Sequence, residues 1–139
     1  MTAHRPLPVP DANSKPYWAA AAQRVLALPR CRRCHGFALP PDSVCPNCGS
    51  TTPEFEFVPV SGHGTVRSWT IVRQSFLPGF DDIVPFVLVD VELCEQTELR
   101  MIGRLLDGID VELRVGTPVA VAFEDLSPEI SVPAFELAG

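Results

Sequence analysis

No uncharged apolar run long enough to cross a bilayer occurs in these 139 residues, which excludes a helical membrane span within them. The opening MTAHRPLPVPDANSKPYW lacks the apolar core of a secretory leader, so the expected compartment is the cytoplasm, where thiols stay reduced and available to metal. There is no nucleophile elbow, no P-loop and no dinucleotide fingerprint. Imidazole is scarce. His4 lies in a proline-rich start, His35 adjoins cysteine, and His63 sits in Ser61-Gly62-His63-Gly64, which reads as a glycine turn entering a strand or as a loop near a ligand. Asp81-Asp82 and the acids from Glu95 to Glu98 read as solvated loop charges. No catalytic residue is assigned.

What is present points to a small metal module joined to a compact β-domain. A mass of 15.2 kDa leaves no room for two full-sized domains, and 46% apolar with 20% charged residues is a globular composition. The net charge of −6 is unevenly split: residues 1–50 carry six bases and two acids, whereas the remainder carries five bases and fifteen acids. Either the first third meets an anion, or its bases offset the thiolates of a metal site.

Residues 1–13 carry Pro6, Pro8 and Pro10 without apolar periodicity and are expected to form a mobile tail or a strap on a partner. From Ser14 the text turns helical: Ser14 can cap, Pro16 suits a first turn, and the alanine-rich stretch runs to Leu28 before Pro29 stops it, giving a helical unit at 14–29. So short a helix must pack on something, either on its own barrel or on a second protein. Tyr17, Trp18 and Val25 are the candidate interface residues on it.

Beyond residue 53, short runs rich in Val, Ile, Thr and Phe alternate with Gly, Pro and Asp. Strands are expected near Glu54–Val60, Thr65–Arg73, Phe86–Leu93, Leu99–Leu105, Pro118–Glu124 and Val132–Leu137, making residues 54–139 a barrel of five or six strands. Val87, Val89, Val91 and Leu93 should face its core. Regular alternation in Thr65–Arg73 puts Arg67, Trp69, Ile71 and Arg73 on one face; that face is either an exposed docking stripe or a buried one with arginines at the rim.

Cys31-Arg-Arg-Cys34 and Cys45-Pro-Asn-Cys48 form two C-x-x-C pairs ten residues apart, each followed closely by a glycine, Gly36 or Gly49. Each pair can offer two sulfurs from a tight turn, and four thiolates fill a zinc tetrahedron with no position left for water. Residues 30–53 are therefore expected to form a structural zinc ribbon holding one ion. Cys31-Arg-Arg-Cys34-His35 also spells a haem attachment motif, which leaves the second pair unexplained; a thioredoxin-like pair lacks its βαβ context. An iron–sulfur cluster also uses four cysteines, and metal analysis separates it from zinc. Cys94 ends an apolar strand and reads as a small buried hydrophobe.

The ordered set Lys15-Pro16-Tyr17-Trp18, Leu28-Pro29-Arg30-Cys31-Arg32-Arg33-Cys34, Cys45-Pro46-Asn47-Cys48-Gly49-Ser50, Ser61-Gly62-His63-Gly64-Thr65-Val66 and Pro85-Phe86 resembles the zinc-ribbon OB-fold accessory proteins, catalogued as domain of unknown function 35. The resemblance covers nearly the whole chain. It implies a partner role beside thiolase-superfamily enzymes (acyl-CoA thiolases, synthases and the lipid-transfer-protein type of retro-aldolase), in a hetero-oligomer. Some members help to hold coenzyme A, which makes Arg30, Arg32, Arg33 and Arg73 candidates for its phosphates. Arg67 and Trp69 join Tyr17, Trp18 and Val25 as candidate partner contacts.

Three functions compete. The first is a non-catalytic accessory subunit of a thiolase-like enzyme. The second is a single-stranded nucleic-acid module, which ribbons and OB barrels also build; the acidic barrel half opposes it. The third, an enzyme in its own right, lacks a catalytic constellation.

Overall fold

The computed structural model describes residues 4–139. A helix, α1 (Lys15–Ala22), precedes seven strands: β1 (Ala27–Arg30), β2 (Glu56–Pro59), β3 (His63–Val72), β4 (Phe86–Leu93), β5 (Arg100–Leu105), β6 (Pro118–Asp125) and β7 (Ser131–Leu137). β1 and β2 form a two-stranded sheet, and the other five close a barrel in the order β3-β4-β5-β7-β6. The fold is thus mainly β, with an N-terminal helix and a four-cysteine module ahead of a five-stranded barrel. No helix among the described residues is long and apolar enough to cross a membrane.

The helix is shorter than its alanine content suggests. It ends at Ala22, and the residues expected to carry it on to Leu28 turn into β1. The stop is a Schellman motif: Val25 N–H reaches Ala20 O at 3.0 Å and Arg24 N–H reaches Ala21 O at 3.0 Å, with Arg24 at φ +62 where glycine is usual. Burial outweighs propensity here. Leu26 and Leu28 are 2% and 0% exposed and belong to the barrel's own core cluster, a gain that far exceeds the few tenths of a kcal/mol by which neighbouring helix propensities differ. At the other end Ser14 makes no side-chain cap. Asp11 organises the start instead, accepting from Ser14 N–H at 2.8 Å and Asn13 N–H at 3.0 Å.

The run expected at Glu54–Val60 is a strand, but not a barrel strand. As β2 it pairs with β1 in the register Leu28↔Val58 and Arg30↔Glu56. The alternation in β4 holds: Val87, Val89, Val91 and Leu93 are all buried, with Phe135, Leu105, Val66 and Val119 around them.

β3 follows neither of its two regular alternations. Val66 pairs with Val91 and Ser68 with Asp90, so Arg67 is the extra residue of a β-bulge. Beyond it Trp69 and Ile71 stand opposite Val89 and Val87, on the core-facing side. Yet Trp69 is 42% and Ile71 37% exposed, because β6 accompanies β3 only from His63 to Thr65 and the strand then runs past the barrel wall.

The start of the chain is held to its own barrel. Arg5 pairs with Glu124 at 3.3 Å, and a Cβ on Gly79 would come within 2.3 Å of Arg5 N, so the backbone at residues 4–5 lies directly on that glycine. Residues 1–3 of the expected tail lie outside the described residues.

Candidate metal centre and its surroundings

Two turns of matching geometry hold the cysteines. In the first, His35 N–H bonds Cys31 O at 2.8 Å and Cys31 N–H bonds Gly36 O at 2.8 Å. In the second, Gly49 N–H bonds Cys45 O at 2.9 Å and Cys45 N–H bonds Ser50 O at 3.0 Å. The residue after each second cysteine takes a left-handed conformation: His35 at φ +65 and Gly49 at φ +75. Gly36, expected to relieve the backbone, serves another purpose. A Cβ there would lie 2.6 Å from Asn47 Nδ2, the atom that donates to Phe37 O at 2.9 Å and ties the two turns together.

The four Sγ atoms lie within 4.8 Å of one another, with Cys31–Cys48 at 3.9 Å and Cys34–Cys45 at 3.7 Å. A tetrahedron with Zn–S bonds of about 2.3 Å has edges of about 3.8 Å, so the sulfurs fit the ion. Amide N–H groups of Arg33, Gly36 and Asn47 approach Cys31, Cys34 and Cys45 sulfur at 3.3, 3.3 and 3.4 Å, which stabilises thiolates. Two of the sulfurs, Cys34 and Cys45, are driven apart in acidity. The Gly36 amide draws the Cys34 thiol down, but burial and the three other sulfurs push it up to about 11. Burial raises the Cys45 thiol, and the amides of Cys48 and Asn47 with the neighbouring sulfurs bring it down to about 7. A divalent cation is what makes all four anionic together. Cys31 and Cys45 are buried, Cys34 and Cys48 exposed, so the centre lies at the surface with one pair anchored inside.

Two models of one family match consecutive parts of the chain: the ChsH2 rubredoxin-like zinc ribbon domain over residues 18–54, and the ChsH2 C-terminal OB-fold domain over residues 57–124. The chain belongs to the ChsH2 family. It is similar to a chain of the solved Ltp2-ChsH2(DUF35) aldolase, at 30% identity and a TM-score of 0.78, covering 94% of this chain and 98% of that one. A "Probable enoyl-CoA hydratase alpha subunit" from Thermomonospora curvata is 32% identical over 134 residues. That match covers 96% of this chain but only 40% of the relative, so the chain spans about two fifths of it. With a rubredoxin-like ribbon and four converging sulfurs, the cofactor is one structural zinc ion.

The other predicted residues are scattered. Tyr17 packs against the core cluster, where burial pushes its phenol up to about 12; its ring meets Trp18 edge-on at 4.9 Å. Trp18 and Val25 are half-buried. Arg30 and Arg32 both reach Glu56, at 3.8 and 3.3 Å, and Arg33 donates to Thr52 O at 3.0 Å. Arg73 lies exposed just past β3 and has no ion-pair partner among the described residues. Two open clefts flank the helix, one of about 600 Å³ lined by Pro16, Phe55 and Phe57, the other of about 700 Å³ lined by Tyr17, Leu39 and Arg100. None of the four candidate phosphate arginines lines either.

Several contacts had no pattern to announce them. Gln96, in the β4–β5 turn, takes Phe37 N–H at 2.7 Å and returns a hydrogen bond to Phe37 O at 3.0 Å, fastening ribbon to barrel. Cys94 is exposed, not buried: Leu93 before it points inward, so the next residue points out, towards Ser61 Oγ at 3.4 Å and Glu95 Oε1 at 3.5 Å. Glu95 and Glu98 are also more than solvated charges; Glu95 accepts from Ser61 N–H at 2.8 Å, and Glu98 pairs with Arg67 and Arg100.

Proposed function

We propose that this chain is a non-catalytic accessory subunit that binds and stabilises a thiolase-like enzyme acting on acyl-CoA thioesters. The observation that carries the reading is the nearly end-to-end likeness to a chain of the Ltp2-ChsH2(DUF35) aldolase. The metal site supports it, since a zinc held by four thiolates keeps no open position for water or substrate. Hydratase activity is not carried over from the Thermomonospora protein, because most of that relative lies outside the match.

In this reading Trp18, Val25, Arg67 and Trp69 contribute to docking, while Tyr17 serves the chain's own packing. Acyl-CoA is shared with the enzyme in a cytoplasmic hetero-oligomer. A coenzyme A phosphate reaching Arg30 or Arg32 competes with Glu56 for them. The nucleic-acid reading loses ground for a related reason: Arg67, Arg100, Arg104 and Arg114 in the barrel half are each already paired with a carboxylate.

The test is a calorimetric titration of the zinc-loaded chain into the thiolase-like enzyme that copurifies with it. Saturable binding is expected. Truncating a central interface aromatic costs about 2 kcal/mol or more, so Trp18→Ala weakens the complex roughly thirtyfold. A parent chain that does not bind overturns the reading.

A further inference from the structure

The bulge at Arg67 and the early end of the β3–β6 pairing together leave a strand with one free edge. Among the described residues, the backbone of Ser68–Val72 pairs only with β4. Ser68, Trp69, Thr70 and Ile71 are all exposed, and Phe76 and Leu77 in the following loop are exposed as well. The sequence of this edge, Ser-Trp-Thr-Ile-Val, has no charge, no proline and high β-propensity. Natural sheets blunt such edges with lysine, proline or a covering element, because an open row of N–H and C=O groups recruits further strands. Apart from the bulge at Arg67, this edge carries none of these devices, so its row of N–H and C=O groups stays open to pairing.

We propose that the free edge of β3 at Ser68–Val72 takes up an extended segment of the thiolase-like enzyme as an added strand, with an acidic residue of that segment facing Arg73. The proposal rests on the accessory reading above and adds the mode of docking: main-chain hydrogen bonds supply the pairing, and Trp69 and Ile71 supply apolar contact on one side. Charge decides against a second copy of this chain. The antiparallel register that pairs all five edge residues of two copies is centred on Thr70, and it sets Arg67 of each copy opposite Arg73 of the other, a like-charge contact that destabilises a sheet. Arg67 is already matched within the chain by Glu92 and Glu98, so Arg73 is the charge left for a partner's carboxylate.

Hydrogen–deuterium exchange of the zinc-loaded chain, alone and saturated with the copurifying enzyme, tests this directly. Free edge amides exchange fast, and strand addition slows those of residues 68–72 by about tenfold or more. Arg73→Glu is expected to cut the association rate by about tenfold at low salt, with zinc content and melting temperature unchanged. If the enzyme binds but these amides exchange as before, the edge is not the docking site and the accessory reading stands alone. If the edge amides are already slow in the free chain and the chain sediments as a dimer, a second copy covers it and the proposal is wrong. If the enzyme does not bind at all, both readings fall.

Discussion

The guanidinium of Arg24 and the carboxylate of Asp125, 101 positions apart in the chain, meet through two hydrogen bonds of 2.7 Å each. Ser131 Oγ completes the clasp, donating to Asp125 at 2.6 Å and accepting from Arg24 at 3.0 Å. The pair fastens the end of α1 to the β6–β7 hairpin. It also accounts for an arginine in the left-handed position that ends the helix: the side chain is needed there although glycine would sit with less strain.

The clasp has an acid signature. Arg24 first, and then Ser131, hold the Asp125 carboxyl down to about 2 from its ordinary value near 4. The folded state therefore binds the proton less readily than the unfolded one, so this contribution to stability is complete above about pH 4 and is lost as the pH falls towards 2. Asp125→Asn should remove that part of the acid limb in a circular-dichroism titration, and Arg24→Gly should do the same despite its easier backbone. An acid limb identical to the parent's in both variants contradicts the assignment.

Zinc removal should unfold the ribbon. Metal analysis is expected to give one zinc per chain, with no iron, and Cys45→Ser should abolish binding, because structural zinc supplies roughly 10–16 kcal/mol of apparent free energy in isolated fingers. Since Gln96 and Leu28 join ribbon to barrel, the barrel should also melt at lower temperature in that variant. A metal-free protein with the parent's spectrum and melting temperature contradicts the site.

Gly64 is fixed by close approach. A Cβ there would lie 2.5 Å from Glu92 O and 2.6 Å from Val91 Cγ1, where the β3–β4 ladder begins with the Gly64↔Leu93 pair. Gly64→Ala should destabilise the fold by about 1–3 kcal/mol in denaturant melts, the ordinary range for overpacking. A loss below about 0.5 kcal/mol would mean that the strands separate there at little cost. The Ser-Gly-His-Gly segment is thus accounted for as a turn into β3, with Gly62 at φ +78 beneath Val121.

Much of this was legible in the sequence, and the exceptions share a cause. The cysteine spacing carries the metal centre because a C-x-x-C turn is local geometry, and β4 could be read because its alternation is unbroken. β1 could not, since Ala27-Leu28 continues an alanine-rich helical pattern and only pairing with the distant Val58 makes it a strand. A bulge such as that at Arg67 shifts the facing of everything after it without altering composition, so Trp69 and Ile71 came out opposite Val89 and Val87 rather than by simple alternation. Cys94 faces out because it stands one residue past the inward-facing Leu93, and Gln96 offers no pattern at all.

The proposed role is to serve a thiolase-like enzyme without turnover of its own. It is tested most directly by acyl-CoA turnover measured for three samples: the zinc-loaded chain, the copurifying enzyme freed of it, and the two recombined. No turnover is expected from the chain, and activity in the mixture well above that of the enzyme by itself. Robust turnover by the chain alone, or a mixture no more active and no more stable than the enzyme, would contradict it.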